Sequence, residues 1–234
     1  MTTAPTTFYG TSVGKKVVMA VSGFIVFGFV VVHMLGNLQI FLGPEKLNTY
    51  AHFLQSLGAF KWAFRAVVAL AALLHMWAAI QVTLQSWAAR PHKYAMQRYR
   101  ETTYAARTMW IGGPIILLFL IYHLLHFTTG HAHHDLAGFE ATFALADGEK
   151  VPNVFNNVVH GFQIWWVSAI YIVTMFLVGL HLYHGVWSML QTIGAAHPRY
   201  NKWRRVFSVL FGLFVAAAGI SMPVAVLIGY IQPV

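Results

Sequence analysis

The sequence predicts an all-α integral membrane protein, a five-helix bundle built as one domain over residues 1–234, and two observations predict it. Of the 234 residues, 58% are hydrophobic and only 9% charged, with a mean hydropathy of +0.62, a composition foreign to water-soluble domains. Five apolar stretches, at about 17–42, 62–88, 108–129, 163–190 and 206–230, each supply the roughly 20 residues a helix needs to cross the hydrocarbon core. No polar stretch between them is large enough for a separate soluble domain.

The first stretch follows Lys15 and Lys16 and is too long for the apolar region of a signal peptide, so it is expected to stay as an anchor. An odd number of crossings puts the two termini on opposite sides. The connections between spans set the orientation. Lys15, Lys16, Arg90, Lys93, Arg98, Arg100, Arg107, Arg199, Lys202, Arg204 and Arg205 fall on one face, against Lys46, Lys61, Arg65 and Lys150 on the other. By the excess of basic residues in cytoplasmic loops, the N-terminus is expected to be cytoplasmic and the C-terminus outside, in the cell's inner (cytoplasmic) membrane.

The connections at 89–107 and 191–205 are short, basic and interleaved with Trp87, Tyr94, Tyr99, Tyr104, Tyr200 and Trp203, as in an aromatic belt beside cytoplasmic charge or a docking face for a partner. Those at 43–61 and 130–162 face outward, and the second is acidic and rich in Gly, Asn and His. The formal charge of +9 therefore reads as membrane topology rather than nucleic-acid binding. The glycines lie inside or at the ends of apolar spans, without a dinucleotide or phosphate-loop fingerprint. With no cysteine, the chain carries no disulfide, no thiolate-held iron–sulfur cluster and no Cys-ligated haem.

Histidine is the informative residue. An ionisable side chain in a span is costly and marks function by default. His33, His75, His123, His126, His181 and His184 are distributed over the first four spans and absent from the fifth. At about 1.5 Å per residue, His33 and His123 both lie about 24 Å from the cytoplasmic ends of their helices, while His75 and His181 lie roughly 14–20 Å up theirs. Two facing neutral imidazoles at one depth on neighbouring helices suit a bis-histidine haem, and two such levels suit two haems, one above the other. His126 and His184 share a helix face with His123 and His181 at i+3, so spacing leaves the choice within each doublet open. Both lie nearer the membrane surface than their rivals, where a histidine could bond a haem propionate or simply reach the interface.

The segments Val32-His33-Met34-Leu35-Gly36-Asn37, Leu47-Asn48-Thr49-Tyr50-Ala51-His52-Phe53-Leu54-Gln55-Ser56-Leu57, Leu74-His75, Tyr122-His123-Leu124 and His181-Leu182-Tyr183-His184-Gly185-Val186-Trp187-Ser188 follow one another along nearly the whole chain. In this order they resemble the cytochrome b membrane-anchor subunit of succinate dehydrogenases and fumarate reductases (respiratory complex II), in its five-helix, two-haem type. The resemblance implies His33 paired with His123 at the haem distal from the cytoplasm and His75 with His181 at the proximal one, taking the first histidine of each doublet as axial ligand. It implies two haem b groups and a membrane quinone, menaquinone by preference. It also implies a flavoprotein and an iron–sulfur subunit on the cytoplasmic face, with membrane lipid around the bundle and room for a higher oligomer of the complex. His52 matches a family histidine just outside the bilayer and could contact a propionate or a quinone pocket, as could His126 and His184. One departure is Gly179, at a position where some members carry a membrane carboxylate; no Asp or Glu falls inside any span.

Two axial histidines leave iron no open site, which favours electron transfer. The expected role is to anchor the complex and pass electrons from cytoplasmic succinate oxidation to quinone, with the dicarboxylate chemistry on the partner subunits. Ser22, Trp87 and Arg90, near the cytoplasmic ends of the first two spans, could line an apolar quinone slot with a few polar donors. Helix packing for Ser22 and interface anchoring for the other two are the competing readings. Rival functions are a dihaem cytochrome serving another quinone-linked dehydrogenase, and a metal transporter using His131-Ala132-His133-His134-Asp135.

Overall fold

The computed structural model describes residues 7–90, 102–133 and 141–234. Long apolar runs form helices because a chain without water must satisfy its backbone internally. Five of the described helices are long and apolar enough to cross a membrane. These are α1 (Ser12–Asn37, continued by a 3₁₀ turn Leu38–Leu42), α3 (Gly58–Ala88), α4 (Tyr104–His123, continued by a π turn Leu124–Thr128), α6 (Trp165–Thr192) and α7 (Pro198–Leu227). The chain is thus a multi-pass membrane protein by helix length and composition.

Helix starts follow side-chain capping. Thr11, Thr103 and Asn153 accept the free amides of Gly14, Ala106 and Asn156 at the starts of α1, α4 and α5 (Val154–Gln163), caps worth about 1 kcal/mol each. The fifth span begins eight residues before the apolar run expected at 206, because His197 caps it and Pro198 occupies its first turn. The basic stretch from Arg199 to Arg205 is therefore helical rather than a loop.

The connections hold structure that hydropathy does not reveal. Gly43, at φ 96°, turns the chain into α2 (Pro44–Ser56). Beyond α4 lie a short antiparallel hairpin, β1 (Thr142–Ala144) with β2 (Lys150–Pro152), and α5 (Val154–Gln163). Phe155, Val159 and Phe162 of α5 join a core formed with Val215, Ala218 and Met222 of α7, Met34 of α1 and Tyr171 of α6. Inside the bilayer such side chains hold the helices together by close packing rather than by leaving water. The fully buried Asn48 on α2 donates to Asn153 Oδ1 and accepts the Phe155 amide, tying α2 to α5. Asn156 exchanges two hydrogen bonds with Val234, at 2.7 and 2.9 Å. One end of the bundle is thus capped by α2, the hairpin and α5, and the opposite end carries Arg90, Arg107 and the basic first turns of α7.

Within the bundle α1 packs mainly on α3 and α6 mainly on α7, with α4 and α1 also against α6. The α6–α7 seam is closed by glycine. A Cβ on Gly179 would lie 2.8 Å from the Gly212 carbonyl oxygen, and one on Gly212 would lie 2.6 Å from that of Gly179. Half of the α7 apolar window is buried, whereas none of the α4 window is.

Candidate functional site

The structure brings together the two histidine pairs that depth and resemblance had selected. His33 on α1 faces His123 at the end of α4, with ring centroids 5.8 Å apart and planes at 84°. His75 on α3 faces His181 on α6 at 6.2 Å and 64°. Neither α1 and α4 nor α3 and α6 is among the closely packed helix pairs, so each histidine pair spans a gap that backbone contact does not close. No hydrogen bond joins the two rings of either pair.

These distances suit a shared metal. Metal–imidazole bonds of about 2 Å, with about 1 Å more from nitrogen to ring centre, put two coordinating rings about 6 Å apart. The polar surroundings fit neutral ligands. His75 Nδ1 lies 3.0 Å from the Met19 carbonyl oxygen, so the ring donates from Nδ1 and leaves the Nε2 lone pair free. His33 Nε2 accepts from Asn37 Nδ2 at 3.0 Å, one helical turn on, so a metal at that nitrogen would have to displace the amide. His123 Nδ1 lies 3.2 Å from the Tyr171 hydroxyl. His181 Nδ1 is buried with no partner, a loss of about 1–3 kcal/mol for a purely structural residue. A Cβ on Gly23 would sit 3.0 Å from His75 Nδ1, so glycine there makes room for the imidazole.

The second histidine of each doublet behaves differently. His126 is fully buried, with Nδ1 3.1 Å from Tyr171 Oη and Nε2 against Gly161, where an added Cβ would lie at 2.7 Å. The π turn, closed by the Thr129 amide on the Leu124 carbonyl, and α5 above it seal this ring away from the surface. The expected propionate contact thus meets a closed site at His126. His184 sits one turn beyond His181, half-buried. His52 pairs with Glu149 of the hairpin at 3.4 Å, beside Glu45, which accepts the Ala146 amide. Its visible role is to hold α2 to the hairpin.

The suggested quinone residues do not converge. Trp87 and Arg90, with Ser86 and Ala89, line an open recess of about 710 Å³ at the basic end, and Trp87 meets Trp110 of α4 edge-on at 5.9 Å. Ser22 is absent from that lining; it is buried, and its hydroxyl donates to the carbonyls of Val18 and Met19.

On the basic face Arg204 is not presented to a partner. It is 7% exposed, donates to Asn201 Oδ1 and the Trp187 carbonyl, and lies 4.2 Å from the Trp187 ring. Lys93, Tyr94, Arg98, Tyr99 and Arg100 lie outside the described residues, as do His134, Asp135 and Glu140. Among the described residues no group of three or more His, Cys, Asp or Glu converges as a metal site. His133 turns inward, 3.0 Å from Tyr122 Oη and against Trp166.

Sequence reasoning passed over Asn37, the Met19 carbonyl, Gly23 and Tyr171. Asn37 was legible, being four residues from His33 on one helix face. Main-chain and cross-helix contacts have no such periodic signature. Compared with known protein families, curated proteins and solved structures, the chain finds no match.

Proposed function

We propose that this chain is a dihaem cytochrome b membrane anchor of the succinate:quinone oxidoreductase type. Its N-terminus and basic face lie in the cytoplasm, and it receives electrons from a flavoprotein and iron–sulfur pair docked there. The observation that carries the reading is the two pairs of facing imidazoles, 5.8 and 6.2 Å apart, each bridging two helices that are not closely packed. Held by His33 with His123 and by His75 with His181, bound haem would supply one-electron transfer chemistry. The chain's own residues hold the ligands and exclude water: Met19 and Tyr171 hold Nδ1 of His75 and His123, Gly23 leaves room for His75, and α5 caps one end.

The mode of binding favours a cofactor over a transported ion. A transported metal needs several ligands along a path, whereas these histidines form two separate facing pairs at different levels and no span carries a carboxylate. Trp87 and Arg90, near the basic face where electrons would arrive, are the proposed quinone contacts.

The test is purification of the native complex. A reduced b-type spectrum, co-purifying flavoprotein and iron–sulfur subunits identified by mass spectrometry, and succinate-dependent quinone reduction are expected. A different dehydrogenase as partner would reassign the electron source, and a colourless chain would overturn the reading.

A further inference from the structure

Tyr171 of α6 lies within hydrogen-bond distance of both histidines of the α4 doublet, with its hydroxyl oxygen 3.2 Å from His123 Nδ1 and 3.1 Å from His126 Nδ1. A phenol has one proton and can donate to only one of two neutral rings. The other ring must donate to it, so the two histidines carry opposite tautomers. Which is which follows from the proposed function, on which this inference rests. A ligand bound through Nε2 carries its proton on Nδ1, so His123 donates to Tyr171 and Tyr171 donates to His126 Nδ1. The proton of His126 then sits on Nε2, the buried atom that has no partner and lies against Gly161.

We infer that Tyr171 is a positioning residue for the ligand at the capped end, and that His126, which binds neither iron nor propionate, aims its hydroxyl. The geometry is rigid on every side. The Tyr171 ring meets Phe119 at 4.9 Å and Phe162 at 5.0 Å, both edge-on, and His126 stacks on Phe127 at 3.9 Å. A phenol oxygen that has given its own proton away is a better acceptor, because hydrogen bonds in series polarise one another. Accepting from Nδ1–H raises the basicity of the coordinating nitrogen. More electron density at iron favours the oxidised form, so the chain from His126 through Tyr171 lowers the potential of this haem. At the other pair His75 Nδ1 donates to the Met19 carbonyl and His181 Nδ1 has no partner, so no side chain takes the part of Tyr171 there.

The test is redox titration of the purified full-length haem-loaded protein, following the two haems by their low-spin spectra. Tyr171→Phe keeps the ring packing and removes the acceptor; the potential of the haem held by His33 and His123 should rise while that of the other stays fixed. His126→Phe should move the same haem in the same direction. His126→Asn, which keeps an acceptor near the Nδ1 position, should restore the parental value, a rescue that a merely space-filling role for His126 would not give. If Tyr171→Phe does not assemble, the two His126 variants decide. Two haems with potentials and spectra unmoved in Tyr171→Phe and His126→Phe would overturn this inference alone. Parental protein with no haem would overturn the dihaem reading and this inference with it.

Discussion

The two histidine pairs are held in different ways. His33 and His123 sit among side chains, with Phe29, Phe119 and Phe127 around the rings and Asn37 and Tyr171 on their nitrogens. His75 and His181 are held by the main chain and by absence, through the Met19 carbonyl, the missing Cβ of Gly23 and an Nδ1 with no partner. A ligand tuned by side chains can be adjusted by substitution, whereas one tuned by backbone can only be displaced. The pair at the capped end is therefore the adjustable one, and the pair nearer the basic end is fixed by helix packing.

The largest break of that comparison removes a ligand. His123→Ala should take the haem content from two per chain to one and spare the His75–His181 site, and His75→Ala should do the converse; pyridine haemochrome assay with low-temperature spectra distinguishes them. Loss of both haems in every variant that still folds would mean that the pairs are not separate sites.

Next in size is crowding of the backbone-held pair. Gly179→Glu forces a side chain into the α6–α7 seam two residues from His181, where even a Cβ is 2.8 Å from Gly212. Overpacking of this kind costs about 1–3 kcal/mol or more, so thermal stability should fall and the haem at His75–His181 should be lost first. Gly23→Val should weaken the same haem by roughly tenfold to a hundredfold, from a similar cost, leaving the other in place.

A smaller effect has the opposite sign. Asn37 donates to the His33 nitrogen that iron would use, so it competes for that lone pair, and Asn37→Leu should tighten haem at His33–His123 by up to about fivefold, the worth of one hydrogen bond near 1 kcal/mol. Titration of haem into apoprotein measures it; a weakened site would mean that Asn37 supports the ligand. Smallest is Ser22→Ala, which removes a hydroxyl bonded only to its own helix; thermal stability should fall by no more than about 1 kcal/mol, the worth of one hydrogen bond, with quinone reduction unchanged.

Hydropathy and the helix rise place the spans and the levels of His33, His75, His123 and His181 because both depend on distance along one helix. The same logic fails for α2, α5 and the hairpin, whose amphipathic or short elements leave no 20-residue signature. It fails again for Arg204, which looks like surface charge in sequence and is spent on Trp187 and Asn201. His126 differs from His123 only through a π turn and a glycine on α5, neither of which spacing can reveal. Gly179 was legible as a missing carboxylate, but its reason, contact with Gly212 and Ala216, is a cross-helix fact.

The central claim is that each facing imidazole pair holds one haem. Pyridine haemochrome assay of the purified chain, with protein measured by amino-acid analysis, tests it most directly. Two haem b per chain are predicted, falling to one in His123→Ala and in His75→Ala; a folded parental chain that binds none would contradict the account.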